Sequence, residues 1–147
     1  MTAKEYLQKA YKLDREALMT VLKANVMRQR LYGRGSPDDI TVRRPAGDSL
    51  GAAMAALIDY EKEADRTIAE LIKKWLLIEK TIKAIQNPVE REVLERRYLM
   101  YQPFESSYDK RTGKYIKGIA ESMGYSERQI YRIHGEALKH INVSECQ

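Results

Sequence analysis

Apolar residues recur along this chain at steps of three and four, the spacing that aligns one face of an α-helix. From Leu50 the series Leu50, Met54, Leu57, Glu61, Ala64, Ile68, Leu71, Trp75, Ile78, Ile82 and Ile85 alternates those steps, with one charged member. Beyond Gly51 the stretch has neither Pro nor Gly. A stripe that sustained is the seam of a long helix packed against another helix. A weaker seam runs through Ala3, Leu7, Ala10, Ala17, Val21, Ala24 and Leu31, interrupted by Asp14 and Arg28. The pattern predicts two long helices, 3–31 and 49–86, in an antiparallel, coiled-coil-like hairpin. Its seam is filled within the chain or by a second copy, and periodicity does not choose between them. The connection 32–48 holds three Gly and two Pro and reads as a loop, extended around Ile40–Val42.

Asn87-Pro88-Val89-Glu90 marks a break and a new start: Asn87 suits an N-cap, Pro88 suits the first helical position, and Glu90 can bond back to the cap. Val89, Val93, Leu94 and Tyr98 form the apolar face of that helix, and Pro103 stops it. Residues 102–114 read as a second loop, with a short hairpin turning at Asp109–Gly113.

The residues that follow carry the most specific spacing. Ile116, Ile119, Ala120, Met123, Gly124, Tyr125, Ile130 and Ile133 fall at the inward positions of a helix-turn-helix. Ala120 is small where two helices cross closely, and Gly124 takes a left-handed turn at little cost. Ser126 caps the second helix, 126–141, and Gln129 completes a capping box. Opposite the apolar stripe lie Arg128, Tyr131, Arg132 and Gly135, bordered by Glu127, Gln129 and His134. Arg reads guanine edges, Gln reads adenine, and Tyr or Ser can hold phosphate. The expected interface with double-stranded DNA is therefore Lys114, Lys117, Ser126, Glu127, Arg128, Gln129, Tyr131, Arg132 and Lys139, with Arg128 and Arg132 reading bases. Lys110 and Arg111 extend the basic cluster, interleaved with Tyr108 and Tyr115. His134 reads as a polar helix residue. Gly135 reflects either close backbone approach to a phosphate or tight packing against a neighbouring helix.

These residues carry a resemblance. Residues 88–141 contain Glu92-Val-Leu-Glu-Arg-Arg-Tyr98, Ile119-Ala-Glu-Ser-Met-Gly-Tyr-Ser-Glu-Arg-Gln-Ile-Tyr-Arg-Ile133 and Ala137-Leu138, and they resemble region 4 of bacterial sigma factors. A long helical part followed by such a module is similar to phage transcriptional regulators of the ArpU/RinA type, small activators of late or packaging genes. For the N-terminal half the likeness is architectural only. The resemblance implies a second motif helix in the major groove of promoter DNA, oligomerisation through the long helices, and RNA polymerase as a further partner. Two features depart from it: loop 102–114 is longer than the turn usual in region 4, and the recognition helix opens Glu127-Arg128, acidic before basic. Base preference is therefore not carried over. A small-terminase-like DNA-packaging protein and a polymerase- or sigma-binding interaction module are the alternative readings.

Composition narrows the classes further. Of 147 residues one is Cys, Cys146, and two are His, His134 and His140, so neither a disulfide framework nor a Cys- or His-based metal site is expected. No apolar run approaches the roughly 20 residues that span a bilayer. The start of the chain is charged and amphipathic, unlike a signal peptide, so a cytoplasmic protein without membrane attachment is expected. No nucleophile–base pair or phosphate-cradling glycine loop appears; neither an enzyme nor a cofactor is expected. The net charge of +5 does not sit in the reading head. Residues 1–47 hold ten basic against five acidic side chains, 48–87 six against seven, and 88–147 ten against nine. That excess, with Arg28, Arg30, Arg34, Arg43 and Arg44, suggests a second contact of the N-terminal loop with flanking phosphates. The expected architecture is all-α: 1–86 a helical hairpin, 87–147 a DNA-binding helix-turn-helix domain.

Overall fold

The computed structural model describes residues 1–32 and 48–143. The loop reading of 33–47, with Arg34, Arg43 and Arg44, lies outside the described residues, as does Cys146. Among the described residues the protein is mostly helical, with one two-stranded sheet. Helix α1 spans Ala3–Tyr32 and α2 Asp48–Lys83. A capping box invisible to the periodicity starts α1: the Glu5 N–H donates to Thr2 Oγ1 at 3.2 Å, and the Thr2 N–H to Glu5 Oε2 at 2.6 Å. Helix α2 ends three residues earlier than periodicity predicts, with Lys80 and Lys83 in its last turn, where cations suit the helix dipole.

The chain forms two compact units. The first joins Met1–Leu13 to Lys74–Gln147, and the second is Asp14–Lys73. In the first, Tyr6, Leu7 and Ala10 of α1 and Ile78, Ile82 and Ile85 share one core with Leu94, Tyr98, Ala137 and Ile141. A smaller core holds Val93, Ile119, Ala120 and Ile130, with Phe104, Met123 and Ile133 packed against it. This grouping departs from the division expected at residue 87. The first turns of α1 and the last turns of α2 bury their seams together with the C-terminal residues.

In the second unit Ala24, Leu57, Ala64 and Leu71 are buried, and Arg28 pairs with Glu61, its Nε 2.9 Å from Oε1. Glu61, the charged member of the long seam, thus has a partner. Leu18, Met19, Val21, Leu22, Val26, Ile58 and Ile72 are exposed there. Val21 was expected in the seam. The α1 seam is narrower than its sequence pattern.

Helix α3, Pro88–Leu94, is capped as the sequence predicts: Asn87 Oδ1 accepts from the N–H groups of Val89 and Glu90 at 3.0 and 3.4 Å. Glu90 is buried; it takes a bond from the Asn87 amide at 3.3 Å and meets His140 Nδ1 at 2.6 Å. Arg91 donates to the Ile85 carbonyl at 2.9 and 3.1 Å, covering an open end of the preceding helix. A π-helical turn, Glu95–Leu99, continues α3, and Tyr101 beyond it has φ 57°.

Within the expected loop, β1, Ser107–Asp109, pairs antiparallel with β2, Lys114–Ile116. Their turn is closed by Asp109, which accepts from the Arg111 N–H at 2.9 Å and Thr112 Oγ1 at 2.8 Å, and Gly113 takes φ 68°. Helix α4, Ile119–Met123, is one short turn. This corrects the expected register: Ile116 is exposed in β2 and does not point inward, Tyr125 is exposed as well, and Lys114 and Lys117 precede α4. The strand draws its residues from what periodicity assigns to the helix start. Gly124 ends α4 at φ 71°, and Ser126 caps α5, Glu127–Lys139, with Gln129 closing the capping box.

Candidate functional site

Helix α5 has a sharply divided surface. Ile130 and Ala137 are fully buried and Ile133 and Leu138 half-buried, fixing the helix to the rest of the first unit. On its other side Glu127, Arg128, Tyr131, Arg132 and Gly135 are exposed. Arg128 and Arg132 stand one turn apart on one face, and neither makes an ion pair among the described residues. Arg132 has the Glu136 carboxylate one turn along the helix, its charge helping to hold that carboxyl down after Lys139, and both guanidinium groups keep a planar fork of donors toward solvent.

The other expected contacts have partners inside the protein. Ser126 Oγ accepts from the Gln129 N–H at 3.2 Å, while Gln129 Oε1 accepts from the Ser126 N–H at 3.0 Å and from its hydroxyl at 3.1 Å. Both side chains are engaged in the cap. Tyr131 donates to Glu105 Oε1 at 2.9 Å and leans its ring on Phe104, centroids 4.9 Å apart. The Glu105 carboxylate raises the Tyr131 hydroxyl above the ordinary phenol value. Lys139 pairs with Glu136 at 2.8 Å on the helix surface. The amide of Gln129 keeps its N–H₂ end for other donations, and Glu127 remains exposed beside Arg128.

Just before α4 the structure adds a basic hairpin. Lys110, Arg111, Lys114 and Lys117 are all exposed on β1–β2 and its flanks, with Tyr108 and Tyr115 between them. Glu121 of α4 ties this hairpin down: Tyr115 donates to Glu121 Oε2 at 2.5 Å and the Ser106 hydroxyl donates to the same oxygen. Those bonds, Ser106 first and then Tyr115, hold the Glu121 carboxyl below its usual value. Gln102 completes the support, donating to the Lys117 carbonyl at 2.9 Å and Ser122 Oγ at 2.6 Å. Its sequence signal is faint: a single Gln before Pro103, a position that favours extended backbone.

His134 does not border the outward face. Its Nε2 lies 2.9 Å from the Tyr98 hydroxyl, its ring stacks on Tyr98, and Phe104 meets it edge-on at 4.9 Å between centroids. Burial, then the charges of Lys4 and Arg97, push its pKa down to about 4, so the ring is neutral at pH 7. Gly135 resolves the other way: a Cβ there meets nothing within 4 Å. Tight packing is therefore excluded as its reason.

Among the described residues no cluster of three His, Cys, Asp or Glu side chains is placed to hold a metal ion, and no helix is long and apolar enough to cross a membrane. Comparison with protein families, with curated proteins and with solved structures finds no match to this chain.

Proposed function

We propose that the protein is a sequence-specific DNA-binding transcriptional regulator, with α4, the Gly124 turn and α5 acting as a sigma region 4-like helix-turn-helix. The single observation behind this reading is the face of α5. Arg128 and Arg132 are exposed, outside any ion pair among the described residues, and one turn apart on a helix anchored by Ile130 and Ala137. In the major groove such a face reaches base edges, and Arg is the commonest reader of guanine. Glu127 and the free amide end of Gln129 adjust the preference; Ser126 and Tyr131 hold phosphate only by exchanging their internal bonds. Lys114 and Lys117, with the hairpin, grip the flanking backbone, and Lys139 does so from the far end of α5. The long helices serve self-association, supported by the apolar residues α1 leaves exposed in the second unit. In this reading the protein is a phage regulator of the ArpU/RinA type acting on late genes, with RNA polymerase as its further partner.

In vitro selection from a random duplex library tests it. The expected product is a consensus that the protein binds with strong salt dependence, and to which Arg132→Ala binds more weakly by roughly 1–3 kcal/mol with relaxed preference at one position. No enriched sequence, or equal binding by the variant, removes the reading.

A further inference from the structure

Within the first unit a cavity of about 380 Å³ opens between the first turns of α1 and the segment that joins the π-turn to β1. Its volume lies in the range of small-molecule sites. Lys4 and Lys12 reach it from α1 and Arg97 from the π-turn, and no carboxylate lines the wall. Like charges gathered around one space repel, and an anion placed among them relieves the repulsion. His134 also lines the cavity, and there the charges of Lys4 and Arg97 add to burial in holding it neutral.

Aromatic surfaces supply the remaining wall. Tyr11 and Tyr101 meet edge-to-face at 5.1 Å between centroids, and the Arg97 guanidinium lies over the Phe104 ring at 4.5 Å. Tyr11 and Tyr101 give a pre-positioned face and edge for a flat guest, beside a Phe104 ring already covered by Arg97. The backbone bringing Tyr101 there is unusual in two ways. It follows a π-helical turn, a feature frequent at functional sites, and among the described residues Tyr101 is the one non-glycine with positive φ. Its hydroxyl donates to the Ala10 carbonyl at 3.3 Å, setting the ring against α1.

We propose that this cavity binds a small planar aromatic anion, its ring held against Tyr11 and Tyr101 and its charged group by Lys4, Lys12 and Arg97. The inference rests on the cavity alone and stands or falls apart from what α5 binds. His134, on the helix that carries Arg128 and Arg132, gives an occupant direct contact with the outward-facing element.

Four probes separate ring from charge and one anion type from another. Adenosine 5′-monophosphate and salicylate carry both features, with phosphate and carboxylate respectively; adenosine carries only the ring and inorganic phosphate only the charge. Titration of the full chain by calorimetry is expected to give saturable binding for at least one of the first two, at least tenfold tighter than for adenosine or phosphate. The preferred probe then identifies the anionic group. Lys4→Gln with Lys12→Gln, both exposed side chains, is expected to weaken that binding at least tenfold while the melting temperature of the free protein does not fall. The imidazole signals of His134, followed by NMR, should shift on binding and titrate at higher pH. Absence of saturable binding by both anions, equal binding of adenosine, or undiminished binding by the double variant overturns the proposal.

Discussion

A Cβ built on Gly118 would run into the backbone of Glu105 and Ser106, where the chain passes over itself before α4. Backbone has little room to give, so Gly118→Ala is expected to destabilise by about 2–3 kcal/mol, read as a lower urea midpoint. Gly135 stands in open space on an exposed helix face, and Gly135→Ala should stabilise by about 1 kcal/mol. If Gly135 admits a phosphate close to the backbone, the same variant binds the selected DNA less tightly although it is more stable; equal or tighter binding frees Gly135 of that role. Gly124 was legible in the sequence because its turn is local. Gly118 was not, because the atoms that exclude a side chain come from residues far before it.

His134 gives the residue scale its pH dependence. Its folded pKa, about 4, lies below the ordinary value near 6.5, so the unfolded chain takes up a proton that the native protein resists. The native state keeps its full advantage above pH 6.5, loses it progressively as pH falls toward 4, and loses no more below that. The loss is on the order of 2 kcal/mol after allowance for partial exposure. Unfolding in urea at pH 7 and pH 4.5 should therefore show a larger drop for the wild type than for His134→Gln, in which other titrations cancel. Equal drops would mean that the ring titrates normally.

Among the elements, α5 was the most readable, since Ser126 and Gln129 announce their cap by spacing alone. Ser126→Ala leaves the Gln129 N–H without that acceptor and is expected to cost about 1 kcal/mol, measured by urea unfolding. A change within a few tenths would show that the cap contributes little. The π-turn had no such announcement. In it the Met100 N–H bonds to the Glu95 carbonyl at 3.0 Å, one residue further back than in an α-helix, and no residue type encodes that step. Periodicity therefore reads Glu92-Val-Leu-Glu-Arg-Arg-Tyr98 as one plain helix. The strand pair escaped full recognition for a related reason. Ile116 suits a helix start and a strand equally, and cross-strand pairing with Ser107 decides between them.

Across the whole molecule, the long seam was read correctly at every described position from Leu57 onward, where each member is buried or half-buried. What the seam packs against was not readable, because a repeat of three and four names a face and not its neighbour. The division at residue 87 missed the sharing of one core by α1, α2 and the C-terminal helices. Leu18, Leu22 and Val26, at four-residue steps on exposed α1, bear on assembly. If self-association uses this face, Leu18→Lys with Leu22→Lys should move the sedimenting species to the mass of one chain while leaving helix content unchanged. An unaltered distribution would assign assembly elsewhere.

The shared core also has a consequence in time. Leu7 and Ala10 are fully buried, in a cluster that includes Ala137 and Ile141, almost the length of the chain away. A ribosome delivers residues in order, so the contiguous stretch Asp14–Lys73 is synthesised before the first residues meet any core partner from Ile78 onward. Closing that core directly would require joining distant segments of a flexible chain, a slow step. A nascent chain halted before Ala137 thus lacks Ala137 and Ile141 from that core, a gap in its apolar packing that marks unfinished synthesis until the last residues arrive.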